Sequence, residues 1–455
     1  MIKNLFHKFQ KERDLTVGSI SKNIWILAIP MLVSNLLQAA FNLVDMIWVG
    51  KLGPEALAAV SMSGSILMVL MFLMIGLGVG TTALIARAIG EKDNAKADNI
   101  AMQSLIMGAI GSFVFGVIGY FLAPWLLQVL GAQPAVLVLG IGYMRILFVG
   151  VLVMFYLFLV SAILQGAGDA ATPMLILVLS TLVNIVLDPL LIFGLGPFPK
   201  MGVNGAALGT VIAECLGSAV ALDVLLRGRS RVHVKLQYLK LDLVKMWNIL
   251  KIGVPASFQM TLRGLVGIVL IAIVAGFGTT AVAAFGVGMR LHMLAMMPGF
   301  ALGMAAATLV GQNLGAKQPA RAVASAWWAV FYYGSFMLVM ALSYIFFAPH
   351  IIMFFNDNVE VIRVGSHFLK VSAFGYLFIA LGVVLSRSLV GAGDTVAPLV
   401  ITFFALWVFQ IPLAIWLAKT FGLGGIWYAF LVAYIVQGTL SVIWFQLGRW
   451  KRKKI

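Results

Sequence analysis

Residues 166–173 read Gly-Ala-Gly-Asp-Ala-Ala-Thr-Pro, and residues 391–398 read Gly-Ala-Gly-Asp-Thr-Val-Ala-Pro, the same turn written twice 225 residues apart. With that offset held, residues 30–173 align with 255–398 without a gap. Pro30 meets Pro255, Gly53 meets Gly278, and Ala56, Ala58 and Ala59 meet Ala281, Ala283 and Ala284. Further along, Gly78, Gly90, Lys92, Pro124 and Gly150 meet Gly303, Gly315, Lys317, Pro349 and Gly375. A chance match does not hold one offset over 144 positions. The chain is an internal duplication.

Composition says what kind of unit is duplicated. Of 455 residues, 62% are hydrophobic and 10% charged, with mean hydropathy +1.06, whereas a soluble domain carries about a quarter charged residues. Apolar runs of about 20 residues, each long enough to cross a bilayer as a helix, recur along the chain. The ~10-residue alternating segments of a membrane barrel are absent. Twelve spans are predicted, near 24–49, 57–82, 100–122, 136–164, 172–196, 203–226, 247–275, 280–308, 325–347, 362–389, 396–418 and 423–447. The fold class is therefore an all-α polytopic membrane protein, with two six-helix bundles in tandem. An even number of spans per copy gives both copies the same orientation, related by a pseudo-twofold axis along the membrane normal. The organisation is an N-terminal segment 1–23, a first lobe 24–226, a polar linker 227–246, a second lobe 247–447 and a basic tail 448–455. The linker alternates apolar and polar residues, which suits a segment lying along the membrane surface.

The formal charge of +16 is not spread evenly. Of 31 basic residues, 22 fall in five polar segments: 1–23, 87–96, 227–251, Lys317 with Arg321, and 449–454. If the spans alternate, all five lie on one face. That is the positive-inside bias, and it places both termini in the cytoplasm of a cell (inner) membrane. Nucleic-acid binding is not needed to explain the charge. Cys215, the sole cysteine, lies in an apolar span and cannot form a disulfide within the chain. Residues 1–23 lack the apolar core of a cleavable signal. Ile2, Leu5, Phe6 and Phe9 at helical spacing among lysines suit a short interfacial helix, and a frayed basic tail is the alternative.

No catalytic arrangement stands out: there is no phosphate loop and no His/Cys cluster at metal spacing, so no cofactor and no enzymatic role are expected. Ionisable residues inside spans then become the functional candidates, because each costs roughly 3 kcal/mol or more at the bilayer centre. Asp45, Asp188 and Glu214 lie deep in apolar spans. On span one, Ser34, Gln38, Asn42 and Asp45 share a face about 80° wide; on span five, Thr181, Asn184 and Asp188 share one about 60° wide. Thr210 and Glu214 are one turn apart on span six. Carboxylates facing a common cavity could carry a proton, or hold a sodium ion through oxygens at Asp45, Asp188 and Asn184. The alternative is that they are wetted ends of spans, above all Glu214. The second copy is the control. Leu270 and Leu413 replace Asp45 and Asp188 there, and spans seven to twelve contain Arg263 (partner of Gln38) and Arg290 but no acidic residue. Such arginines could bind an anionic group, pair with a carbonyl or snorkel. The Gly-Ala-Gly-Asp turns are structural, with Asp169 and Asp394 capping the helices that follow. Pro30 and Pro255 interrupt spans one and seven.

Taken together, Asp45-Met-Ile-Trp-Val-Gly50 with Leu52-Gly53-Pro54-Glu55-Ala56-Leu57-Ala58, Asn184-Ile-Val-Leu-Asp188-Pro189 and the two Gly-Ala-Gly-Asp turns resemble the multidrug and toxic compound extrusion family. The resemblance covers residues 20–447 and is greater to the branch named after the DNA-damage-inducible F protein. It implies a V-shaped pair of bundles that export amphiphilic, often cationic, compounds by alternating access against entering H⁺ or Na⁺. It also implies that Asp45, Asp188, Asn184, Tyr143 and Thr210 form the cation-coupling site, with Pro30 as a hinge. Ala206 stands where the family often has a threonine, with Thr210 one turn on. Arg263 stands where the norfloxacin-transporter branch has a glutamate, which speaks against a second-lobe cation site of that kind.

The reading from sequence is a monomeric, cation-coupled drug antiporter whose substrate cavity includes Gln38, Asn42, Asp45, Asp188, Met260 and Arg290. A lipid or lipid-linked precursor flippase of the same fold superfamily is the alternative that the arginines keep open. A passive channel would need no carboxylate cluster.

Overall fold

A computed structural model describes residues 14–453 and 455, without the side chains of Leu73 and Leu236. The interfacial helix expected near the N-terminus lies outside the described residues. The rest is helical: α1 (Ile20–Gly50), α2 (Pro54–Gly90), α3 (Asn94–Val129), α4 (Pro134–Ala167), α5 (Ala171–Phe193) and α6 (Val203–Leu226) in the first copy. The second contains α7 (Leu243–Ala275), α8 (Thr279–Gly315), α9 (Pro319–Met353), α10 (Val359–Ala373), α11 (Tyr376–Gly391), α12 (Val396–Phe421) and α13 (Leu423–Gln446). Among the described residues, 11 helices are long and apolar enough to cross a membrane, and 12 if the bent pair α10 and α11 forms one span. The chain is a multi-pass membrane protein.

Local chemistry sets the helix ends. Prolines at the first helical position open α2, α4 and α9, where a missing N–H removes a donor that would have had no partner. Asp93 caps α3 by accepting from the Lys96 N–H at 2.9 Å. Asn358 caps α10 by accepting from the N–H groups of Glu360 and Val361. Gly168 and Gly194 end α4 and α5 in the left-handed conformation.

The 225-residue offset reappears in the backbone itself. The described non-glycine residues with positive φ are Lys92 (60°) and Lys317 (59°), which are repeat partners. Gly53 and Gly278 share φ of 112° and 95°, and Gly168 and Gly393 share 92° and 83°. Not every turn kept its chemistry. Asp169 caps α5 as its spacing predicts, accepting from the N–H groups of Ala171 and Thr172 and from the Thr172 hydroxyl. Asp394 does not cap α12. Its carboxylate instead accepts from Lys453 Nζ at 2.7 Å and Trp444 Nε1 at 3.2 Å, which ties the basic tail to the turn.

Two spans are less regular than their apolar runs suggest. The tenth breaks between α10 and α11 at Phe374–Gly375 with a 58° bend, whereas α4 runs unbroken through the partner Gly150. A side chain at Gly375 would meet Tyr434, so the bend brings backbone against that ring. The eleventh contains a π-helical stretch, Phe404–Gln410, just before Pro412. Proline has no N–H to give the preceding turn, and a wider turn accommodates that loss.

The chain forms two compact units. One takes in residues 29–254, the other 15–28 and 255–455. The chain passes between them inside α1 and α7, beside Pro30 and Pro255, where the helical hydrogen-bond ladder lacks a donor. Within the second unit, Ile24 and Leu27 of α1 are fully buried, the Ser21 hydroxyl meets the Tyr332 hydroxyl at 2.6 Å, and Arg321 donates to the carbonyls of Val17 and Gly18. Within the first unit, the start of α7 crosses α2 so closely that a Cβ at Gly80 would lie 2.4 Å from the Ile249 carbonyl oxygen, and one at Gly253 2.7 Å from that of Gly76. Small residues four apart permit such an approach.

The linker is fastened to α3. Asp98, 2% exposed, accepts from the His233 N–H at 2.7 Å and pairs with Lys235 Nζ at 3.3 Å. Gln103 donates to the carbonyls of Tyr238 and Lys240 and accepts from the Asp242 N–H. Val232 and Val234 are buried, so their part of the alternation faces protein, while Leu239 and Leu241 remain exposed. Lys245 beside Asp242 holds that carboxyl below the usual carboxylate range. Asp98→Ala should strip the 231–242 segment of its main anchor. A loss of about 1–3 kcal/mol is expected as a lower unfolding midpoint in detergent, with faster proteolysis confined to the linker; an unchanged cleavage rate would refute the clamp.

Candidate functional site

The first unit brings polar side chains from four of its helices into one apolar bundle. On α5, Asn184 and Asp188 are one turn apart, as i and i+4 residues must be, and the Asn184 amide donates to Asp188 Oδ1 at 2.8 Å. The same amide reaches Thr210 Oγ1 on α6 at 3.5 Å. Asn184 and Asp188 are fully buried. Gly209 makes room for them, because a Cβ there would lie 2.6 Å from Asp188 Oδ1.

Tyr143 on α4 is buried and stands in the electrostatic field of both Asp45 and Asp188, and the two carboxylates feel each other. Around the tyrosine pack Val49, Val60, Leu147, Ile192 and Ala206, an apolar wall that keeps the local dielectric low. Ala206 belongs to that wall, with Thr210 one turn on.

Several acceptors in this cluster have no hydrogen-bond partner: Asp45 Oδ1, Asp188 Oδ2 and Asn184 Oδ1, with Glu214 Oε2 on α6 in the same condition. A buried acceptor without a donor costs roughly 1–3 kcal/mol, so the arrangement suits something that brings positive charge. A proton on one carboxylate would satisfy it, as would a small cation held by the three oxygens of Asp45, Asp188 and Asn184. Among the described residues no group of three or more His, Cys, Asp or Glu side chains could hold a metal ion.

The other residues singled out in the sequence are placed differently. Gln38 and Asn42 are exposed positions on α1, and neither has a described hydrogen bond. Met260 on α7 is half-buried and Arg290 on α8 is exposed; both belong to the second unit. Pro30 lies inside the continuous helix α1, and the Ser34 hydroxyl donates to its carbonyl at 2.9 Å. The second unit holds a buried network that sequence reasoning missed. Its His292 lies between the hydroxyls of Tyr376 (3.4 Å) and Tyr434 (3.2 Å) and stacks on the Tyr434 ring. Isolated tyrosines in apolar runs give no periodic signal.

Two tandem helical units, each with polar side chains held inside an apolar bundle, define a multi-pass membrane transporter. The chain belongs to the MatE family, whose model matches residues 30–190 and again 255–416, the same 225-residue step that the turns show. It is 31% identical to the probable multidrug resistance protein YoeA of Bacillus subtilis over 96% of both chains. It is 26% identical to the probable multidrug resistance protein NorM of Thermotoga maritima, covering 99% of this chain and 97% of that one. Among solved structures, a MOP superfamily transporter from Pyrococcus furiosus superposes with a TM-score of 0.88 at 28% identity, covering 96% of this chain and 98% of that one.

The Asn184–Asp188 contact can be measured directly. Asn184→Leu should lower stability by about 1–3 kcal/mol, because it leaves a buried carboxylate oxygen without its donor. In a chain that already carries Asp188→Leu the same change should cost far less. A double-mutant cycle on thermal unfolding in detergent that shows additive losses would refute the contact.

Proposed function

We propose that the protein is a cation-coupled multidrug efflux antiporter of the inner membrane, both termini cytoplasmic, exporting amphiphilic compounds by alternating access. The observation that carries this reading is Asp188, fully buried beside Asn184 and Thr210, with half-buried Asp45 near enough for its charge to reach both Asp188 and Tyr143. Multidrug resistance proteins among the relatives support the substrate class.

The cycle follows from charge. Two carboxylates close together in an apolar bundle repel one another and have lost their hydration, so taking up H⁺ or Na⁺ relieves both penalties. The Asn184 amide holds Asp188 in place for this step, and Tyr143 stands in the field of both acids. With the cation bound, the cluster is neutral enough to release an amphiphilic substrate that carries positive charge. Once the cation has left on the other side, the acids are free to attract the next substrate. Pro30, in the helix that carries Asp45, is the proposed hinge, because a helix bends most easily where its hydrogen-bond ladder is already broken. Gln38 and Asn42, on the helix that carries Asp45, are the proposed substrate contacts of the first unit, and Met260 and Arg290 those of the second. The chain has no nucleotide-binding motif, so the gradient supplies the energy.

Asp45→Asn and Asp188→Asn should each abolish gradient-driven efflux from proteoliposomes while membrane insertion and unfolding midpoint stay near wild type. Imposing a pH gradient and a Na⁺ gradient in separate experiments identifies the ion by which one drives accumulation. Wild-type efflux by either variant would overturn the coupling assignment.

A further inference from the structure

The second unit contains two arginines that the duplicated scaffold does not call for. Arg263 on α7 stands at the repeat position of Gln38. Arg387 on α11 stands at that of Ala162, and here the two copies can be compared contact by contact. In the first unit a Cβ at Gly78 would meet Ala162 at 3.4 Å; in the second a Cβ at the partner Gly303 would meet Arg387 Cγ at 3.0 Å. In the first copy the Phe158 ring, at the repeat position of Val383, is the nearer contact at 2.5 Å, so a ring and a methyl group fill the crossing there; in the second copy the contact is to the Arg387 stem, Cγ and Cβ, and not to its guanidinium group.

The surroundings of these charges are rich in donors and lack acids. Arg263 lies within the electrostatic reach of both Arg387 and the Tyr434 hydroxyl. Its Nε is buried without a hydrogen-bond partner. One turn along α13 from Tyr434, Gln437 packs against Gly382 of α11, and its amide Nε2 is buried without an acceptor. The acidic residues between 243 and 446 are Asp357, Glu360 and Asp394. Glu360 pairs with Arg363 at 2.6 Å and Asp394 with Lys453 at 2.7 Å, and Asp357 sits in the loop ahead of α10. No carboxylate within this bundle neutralises either arginine. Next to Arg263, the Leu262 carbonyl accepts from Trp407 Nε1 at 3.3 Å, and Trp407 belongs to the π-helical stretch of α12, a form of helix that gathers at functional positions.

We propose that the second unit holds an anion-binding subsite in which Arg263 and Arg387, assisted by the Gln437 amide, take the carboxylate or phosphate group of an amphiphilic ligand. Both arginines are half-buried in the bundle and Arg263 feels the charge of Arg387; a bound oxyanion would turn that repulsion into attraction. A guanidinium also presents paired N–H groups that fit the two oxygens of a carboxylate or phosphate. The Gln437 amide would give the third donor. The subsite belongs to a different unit from the Asp45–Asp188 pair and does not depend on that pair being the coupling site. It adds acidic and zwitterionic amphiphiles to the compounds the chain can recognise.

The test uses the full chain in phosphatidylcholine nanodiscs, with dansyl-undecanoic acid and its methyl ester as the matched probes. The wild-type protein should bind the acid about tenfold more tightly than the ester, which corresponds to about 1.4 kcal/mol. Arg263→Gln and Arg387→Gln should each bring that ratio close to one, whereas Arg263→Lys and Arg387→Lys should keep part of it. Glu55→Gln, at an exposed acid outside both clusters, should leave the ratio unchanged, and gradient-driven efflux by Asp188→Asn is read separately, so a failure of the coupling assignment and a failure of this site are told apart. Competition by phosphatidylglycerol added to the nanodiscs would name a lipid headgroup as occupant, and competition by hexyl phosphate a free amphiphile; either supports the site. Equal binding of acid and ester by the wild-type protein, or a preference that survives both glutamine variants, overturns it. Should a glutamine variant fail to fold, the wild-type ratio and the lysine variants still decide the matter.

Discussion

Inside a bilayer there is no water to hydrogen-bond to a backbone amide, and this constraint governs the whole molecule. Every span must be a helix that satisfies its own backbone, and every polar side chain within a span must find a partner in the protein or in what the protein binds. Most do so by the cheapest route: the hydroxyls of Ser34, Ser63, Thr81, Ser161 and Ser388 return their proton to a carbonyl four residues back. The groups that do not are spread over both copies, and two sets of them bear on binding. Around Asp188 they include the acceptors Asp45 Oδ1, Asp188 Oδ2 and Asn184 Oδ1, beside the Thr181 hydroxyl and Trp48 Nε1; around Arg263 they include the donors Arg263 Nε and Gln437 Nε2.

Much of this was legible because the informative residues act locally. A proline opening a helix, or a glycine at positive φ ending one, does its work whatever surrounds it, so the turn pairs 53/278 and 168/393 could be read from sequence and reappear in the backbone angles. The Asn184–Asp188 contact was legible for a related reason: residues four apart on a helix face the same way, and an amide beside a carboxylate at that spacing can hardly avoid it. Twelve spans were readable because membrane thickness sets their length.

What could not be read depends on neighbours distant in sequence. Asp394 sits in the same turn as Asp169, yet Lys453 and Trp444 claim it, and only the folded tail puts them there. Asp98 and Gln103 looked like ordinary polar residues near the start of a span; their partners are 135 or more positions away on the linker. The bend at Gly375 answers to Tyr434, and its twin Gly150, with Val211 as neighbour, stays in a straight helix. Arg387 escaped notice because an arginine near the end of a span usually reaches out to the headgroups. Against Gly303 it is the aliphatic stem that packs, not the guanidinium group.

That distinction, between residues the scaffold requires and residues it merely tolerates, is the most useful consequence of the duplication. Where both copies agree, as at Gly78 and Gly303, the shared feature is room: each faces a side chain on the partner helix that a Cβ would crowd. Changing such a position damages folding first and transport second. Where the copies disagree, as at Asp45 and Leu270 or at Ala162 and Arg387, one copy proves that the bundle closes without the charge. A charge retained at a membrane-buried position that its twin fills with an apolar side chain carries a desolvation penalty with no return in packing. Such a position is a candidate for binding, and the internal repeat thus serves as a built-in control for separating residues the scaffold needs from those it does not within a single chain.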